Sequence, residues 1–470
     1  MGIGSKTTGS IFSAMGITES FVGSLNKITP DTLPIEGVEA ARRLILDGLA
    51  VAVAGSREKA PQIIAAHLHE LGGAAQATAI NQGFKTSTVS AACINGAAMH
   101  VLDYEPMWLP PNHATSTTLP AVLALGEYTG ASGLDIMTAL IRGVEAQGRL
   151  RVASRQYEPR DLTFHPPGIV GVIGSAVGSG YLLGLEVERM RHAIGIAASR
   201  AGSLMGNIGT MTKCAHCGAA AAAGLDAGLL AARGFTANPD IIEVEHGFAE
   251  AFFNRDYDDA ALTRDGEPLR IIKPGYATKM FPSQYATHFA ILAALEARQR
   301  ILNCAAIAGV EVVGPIMPYI DRPRPGSGLA GKFSIQYVVA CALLDSGVSI
   351  DTFTDDRCAR ADVATLMGRV RFRQSEDIPA TLDEMWVEVI VALADGTRVS
   401  GKCTRPRAAW GEPPSDEEHM VKVNDCMRRA FDNKTIEECI EPMRNFDGLD
   451  AAGVRRLMRV LKGSKETGRE

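Results

Sequence analysis

Residues 168–185 read GIVGVIGSAVGSGYLLGL, eighteen positions without a charge, of which six are glycine and two are serine. A segment this apolar has to leave water, and its length is close to the minimum for a membrane span. Basic anchors do not flank it, however, and its small residues suit helices that approach one another backbone to backbone. We therefore read a buried helix of a soluble protein, with no membrane as partner. Such a helix needs neighbours of the same small-residue kind, and this requirement sets the fold.

The surrounding sequence supplies them. Residues 35–55 place Val38, Ala41, Leu44, Ile45, Leu49 and Ala52 at helical spacing, and Gly55 offers a stop. Similar alanine-rich patterns recur at 61–72, 85–101, 117–130, 133–148, 187–200 and 215–233. No strand alternation of any length precedes about residue 265. Beyond it the pattern changes: a helix at 283–301, a short strand at 309–314, a helix at 331–346 and a strand at 368–373. Residues 386–403 carry the strongest β signal, with Val387, Val389, Val391 and Leu393 alternating ahead of an Asp395-Gly396 turn. Helical character returns after Pro406, where Ser415 and Glu418 form a capping-box signature. The predicted fold is mostly α. A discontinuous helical domain, 1–266 plus 407–470, carries an inserted α+β lid domain, 267–406.

Charge and cysteine usage narrow the class. Lys plus Arg number 47 against 53 Asp plus Glu, and no basic run stands out, so nucleic acid is not a partner. The nine cysteines form no spaced framework, which reads as reduced thiols in a cytoplasmic protein. The opening MGIGSKTTGS lacks the apolar core of a signal peptide, and Lys6 stands where a myristoylation motif needs Ser or Thr. We read this tail, and SKETGRE at the other end, as disordered or frayed.

Four stretches concentrate polar groups in apolar surroundings: HVLDYEPMWLPPNH at 100–113, FHPPG at 164–168, TMTKCAHCG at 210–218 and YATKMFPSQYATH at 276–288. His113 and His165 are candidate acid/base groups, because imidazole titrates near neutral pH. Lys213 and Lys279 can hold carboxylates, and Asp103 can orient a histidine or a lysine. Cationic anchors beside imidazoles suit proton transfer at a carbon next to a carboxylate. Cys214 and Cys217 resemble half of a zinc site, but no second pair appears, so we read buried thiols and no metal. No Gly-rich phosphate loop follows a strand, so a nucleotide cofactor has no support.

These stretches, together with KFSIQYVVACALLDSG, resemble the MmgE/PrpD family from about residue 35 to 460, and within it the animal-type cis-aconitate decarboxylases. The resemblance implies a large helical domain with a smaller lid, a homodimer and catalysis without an organic cofactor. It implies active-site roles for Asp103, His113, His165, Lys213, Lys279 and Tyr319, with Arg322 beside the substrate. Two positions depart from the pattern. Met107 replaces an active-site threonine, and Gln284 replaces a histidine; both are expected to face the substrate. His100 and Glu105 are read as supporting residues. The implied function is a lyase, decarboxylase or dehydratase, acting on a small polycarboxylate such as cis-aconitate or 2-methylcitrate. An isomerase or epimerase using the same proton chemistry is the alternative, and a non-catalytic homologue fits the retained polar set poorly.

Overall fold

The computed structural model describes residues 16–158 and 161–464, so the tail MGIGSKTTGS and residues 465–470 lie outside the described residues. The first half is built from helices α1 (Ile17–Asn26), α2 (Ile35–Gly55), α3 (Lys59–Leu71), α4 (Thr88–Val101), α5 (Ala114–Thr129), α6 (Gly133–Ala153), α7 (Pro166–Leu182), α8 (Val187–Ala198) and α9 (Thr212–Ala232). The apolar run at 168–185 is α7, which is walled in by α5, α6, α8 and α9. Its glycines permit that approach. A Cβ on Gly174 would stand 2.7 Å from the carbonyl oxygen of Gly143 on α6, and a Cβ on Gly224 of α9 would stand 2.3 Å from that of Val172. Any larger side chain at these crossings would push the helices apart.

Among the described residues, α9 alone is long and apolar enough to cross a membrane by length and composition. Its buried face packs on α4, α5, α7 and α8, which accounts for that composition.

Three details differ from the periodicity. Helix α1 was not foreseen: its ten residues include Gly23, but Phe21 and Leu25 are fully buried. The helix expected from 85 starts at Thr88, because Ala77–Thr78 (β1) and Lys85–Thr86 (β2) pair antiparallel and Ser87 then caps the helix through Ser90 N–H. Strands this short carry no detectable alternation. Finally, Met107–Trp108 (β3) pairs antiparallel with Tyr276–Ala277 (β4), so the polar stretch at 100–113 is stitched to the segment that precedes the second half.

After two short helices, α10 (Phe248–Phe252) and α11 (Ala260–Thr263), comes α12 (Tyr285–Arg298). It lies across a four-stranded sheet made of Ile307–Pro315 (β5), Val370–Ser375 (β6), Val387–Leu393 (β7) and Arg398–Cys403 (β8), in the order β6-β5-β7-β8. β5 and β6 run parallel, and the other neighbours are antiparallel. The hairpin read at 386–403 is β7–β8, with Gly396 at φ +87° in its turn.

Two main apolar cores result. One gathers Leu44, Ile173, Met427 and Leu457, so helices Asp416–Arg428 and Ala451–Leu461 close over the first bundle. The other gathers Phe289, Ile307, Val339 and Val389. Adjacent residues join them: Trp108 belongs to the first core and Met107 to the second.

Candidate active site

Where the two cores meet, four helices begin at one cleft. His113 is the N-cap of α5, His165 the N-cap of α7 and Gln284 the N-cap of α12, while Lys213 lies in the first turn of α9. All four side chains line the cleft, with Asp103, Met107, Lys279 and Tyr319. His165-Pro166-Pro167 serves as a helix start: proline is tolerated at the first helical positions, where no N–H partner is lost. Each helix start carries partial positive charge and unpaired N–H groups, so their convergence favours an anion. The space between atoms in the cleft and its open mouth comes to about 720 Å³.

Asp103 sits at its floor, buried, with φ +51°. A non-glycine residue in the left-handed region is uncommon and costs free energy unless its surroundings hold it there. The surroundings do. Lys213 Nζ donates to Oδ2 at 2.9 Å, and Lys279 Nζ donates to Oδ1 and, at 3.0 Å, to the Asp103 carbonyl. Burial alone would raise the Asp103 pKa, but the two ammonium groups outweigh it and hold the carboxyl well below the usual range. Lys279 is lowered by its own burial, with Asp103 opposing that effect.

Behind Asp103 lies a relay of imidazoles. Lys213 also donates to His100 Nε2 at 2.8 Å. That nitrogen must then be the acceptor, so Nδ1 carries the proton and points it at Glu105 Oε1. Burial drives His100 down to about 4, consistent with a neutral ring. Glu105 Oε1 also accepts from Ser116 Oγ at 3.0 Å and lies 3.1 Å from His113 Nδ1. His113 Nε2, on the ring's other side, is 3.9 Å from Asp103 Oδ1. His165 stands 6.1 Å from His113, ring centre to ring centre, and its Nδ1 lies 3.2 Å from His216 Nδ1. Burial, reinforced for His165 by Lys213, lowers both cleft histidines and favours their neutral form.

The opposite wall comes from the second half. Gln284 Oε1 accepts from Ala286 N–H at 2.7 Å, which leaves its NH₂ to donate to Tyr319 Oη at 3.2 Å. The Tyr319 hydroxyl in turn donates to Met317 Sδ at 3.6 Å, a weak acceptor that a stronger one can replace. Met107 is buried in β3 and turns its side chain to the cleft. Arg322 is not among the residues lining the cleft; its guanidinium donates to the carbonyls of Tyr319 and Ile208 and ties two cleft-lining segments together. Sequence reasoning did not single out Phe333, whose ring lies 5.4 Å from Lys213 Nζ and completes the wall.

Two triads, His100/His113/His165 and Asp103/Glu105/His113, bring ligand-type atoms within 4.8 Å of one another. The donor set fits a cation poorly, because Lys213 already occupies His100 Nε2 and one Asp103 oxygen and Lys279 the other. Cys214 and Cys217 are buried thiols on α9, both pushed up by burial.

Two family models match the chain in succession. The MmgE/PrpD N-terminal domain matches residues 19–260 and the MmgE/PrpD C-terminal domain residues 281–445. The chain is 29% identical to the cis-aconitate decarboxylase of Mus musculus, over 95% of this chain and 93% of that protein. It is 28% identical to the enzyme of that name from Homo sapiens, over 95% of each chain, and 27% identical to that from Aspergillus terreus, over 92% and 94%. With its two domain models matched in order along most of its length, the chain belongs to the MmgE/PrpD family.

Proposed function

We propose that this protein is a lyase that decarboxylates a small unsaturated polycarboxylate of the cis-aconitate kind, by proton transfer next to a carboxylate and without an organic cofactor or metal. The observation that carries the reading is the meeting of Lys213 and Lys279 on Asp103, at the floor of a cleft where α5, α7, α9 and α12 begin. An incoming carboxylate competes with Asp103 for the ammonium groups and is held by them. Breaking the carbon–carbon bond to one carboxylate leaves an electron pair, which the remaining conjugated carboxylate can spread. Fixed donors stabilise that charge as it develops, here the lysines and the Tyr319 hydroxyl. The pair must then be met by a proton at carbon, a task for His113 or His165. We assign contact with the substrate also to the surface formed by Met107 and Gln284, and a positioning task to Arg322.

We further propose that residues 267–406 act as a lid on the discontinuous helical domain, and that the protein is a cytoplasmic homodimer. All nine cysteines are unpaired, which supports a reducing compartment.

The test is NMR of the purified protein with cis-aconitate in D₂O. Loss of CO₂ with one deuterium retained at carbon is expected. Deuterium exchange without loss of CO₂ would favour the epimerase or isomerase reading. Inertness toward cis-aconitate, 2-methylcitrate and citrate would overturn both.

A further inference from the structure

Three consecutive backbone carbonyls in the turn that presents Asp103 each accept from a different buried lysine. Leu102 O accepts from Lys332 Nζ at 3.1 Å, Asp103 O from Lys279 Nζ at 3.0 Å, and Tyr104 O from Lys422 Nζ at 2.8 Å. The three lysines come from distant parts of the chain, and each is at most 3% exposed. Lys279 touches the Asp103 carboxylate and belongs to the site already described. Lys332 and Lys422 do not line the cleft.

Their other contacts show what they connect. Lys332 Nζ also donates to Pro282 O at 3.3 Å, and its own carbonyl accepts from Gln284 N–H at 3.1 Å. It therefore grips the turn that carries Lys279 and Gln284 as well as the Asp103 turn. Among the described residues no carboxylate forms an ion pair with it, although Glu58 favours its charge without contact, and the Phe353 ring centre lies 4.9 Å from Nζ. A buried ammonium whose partners are carbonyls and a ring is expensive to keep. Methionine would fill the same space more cheaply, so core packing does not explain the lysine. Lys422 lies on the Asp416–Arg428 helix, pairs with buried Asp47 at 2.7 Å and stands 4.2 Å from the Tyr104 ring centre.

We propose that Lys332 and Lys422 are positioning residues that lock the Leu102-Asp103-Tyr104 turn in its left-handed form, with Lys332 coupling that turn to the Lys279–Gln284 turn of the other core. The inference rests on Asp103 being an active-site group, as proposed above. A side chain held in an unfavourable backbone region needs its flanking peptides fixed, and three charge-assisted bonds on three successive carbonyls do that.

The test compares Lys332→Met, Lys332→Gln and Asp47→Asn/Lys422→Met with the parent protein. Crystal structures give the Asp103 φ angle and the Lys213–Asp103 distance, and turnover of cis-aconitate gives kcat and KM. We expect Asp103 to leave the left-handed region in Lys332→Met and in the double variant. With displacements on the ångström scale, kcat should fall about 10²-fold while KM changes little. Lys332→Gln retains an N–H donor and should recover part of the loss. Folded variants that keep Asp103 in place overturn the proposal whether or not the parent protein decarboxylates anything. A displaced Asp103 supports it even if the parent proves inert toward cis-aconitate. Failure of both Lys332 variants to fold would make Lys332 a stability element and overturn its assigned role.

Discussion

Asp103 Oδ2 and Lys213 Nζ form a buried ion pair of 2.9 Å, and the same ammonium reaches His100 Nε2 at 2.8 Å. One lysine thus fixes both the carboxylate at the cleft floor and the tautomer of the imidazole behind it. On the proposed function, replacing Lys213 or Lys279 by Met removes a charge-assisted bond to substrate worth roughly 1.5–3 kcal/mol. The expected result is a fall in kcat/KM on cis-aconitate of about 10- to 150-fold for either variant, with KM carrying part of it. Unchanged kcat and KM in both would place these lysines outside the reaction.

His113 and His165 face the cleft from two helix starts, while His192 sits on α8 with its Nδ1 2.9 Å from Ala237 O. Glutamine at either cleft position keeps bulk and polarity but cannot titrate. Loss of a general acid or base should lower kcat by about 10²–10⁴. His192→Gln should leave kcat near the parent value. Thermal melts must accompany the assay, since both cleft histidines are held by buried partners. If His192→Gln were the inactive variant and the other two turned over normally, the site would lie elsewhere.

Much of this was readable before the structure, for definable reasons. Helix α2 runs from Ile35 to Gly55, where its apolar spacing and terminal glycine placed it. Asp103, His113, His165, Lys213 and Lys279 stand far apart in sequence, yet each lies beside a bend or a helix start, and the fold brings them to one cleft. What periodicity could not show was the setting of lysines. Lys422 occurs in MVKVNDCMRRAF, where a lysine reads as the solvated side of an amphipathic helix; only the Asp103 turn packed above it makes it a buried donor. The short strands β3 and β4 escaped for a different cause: two residues have no period, and their pairing joins positions 107 and 277.

Substrate binding should take up protons. Burial depresses His113 and His165, and Lys213 adds to the effect on both. A bound polyanion acts in the opposite sense, favouring the charged imidazole and raising both values. Near neutral pH the complex therefore holds more protons than its parts. Calorimetric binding of citrate, in buffers of differing ionisation enthalpy, should give heats that depend on the buffer and indicate uptake. Buffer-independent heats, or proton release, would contradict this electrostatic picture of the site.

Activity should survive EDTA and exhaustive dialysis. The argument is local: a cation bound by Asp103, Glu105 and the imidazoles would have to evict Lys213 or Lys279 and would then face both ammonium groups at close range. A zinc signal of one equivalent per chain, removed together with activity and restored with it, would overturn this.

Stability should decline as the solution is acidified from neutrality, before ordinary carboxylates begin to protonate. Burial lowers His100 and His216 to about 4 and His288 to about 3, against 6.5 for a free imidazole. In each case the unfolded chain binds a proton near pH 6.5 while the folded chain does not. The folded state is therefore at full advantage above 6.5 and loses it as pH falls toward the folded values. The slope is at most about 1.4 kcal/mol per pH unit for each fully buried imidazole. Asp103, held low by Lys213 and Lys279, adds a loss of the same sign below about 4. His288 isolates the effect, because it lies outside the cleft, between the Phe281 and Tyr285 rings, with Nε2 3.3 Å from Ser283 O. Melts of the parent and of His288→Leu between about pH 7.5 and 5 should show Tm falling with acid in both and less steeply in the variant. A parent Tm that stays level or rises over that range would mean that the buried imidazoles are already charged in the folded protein.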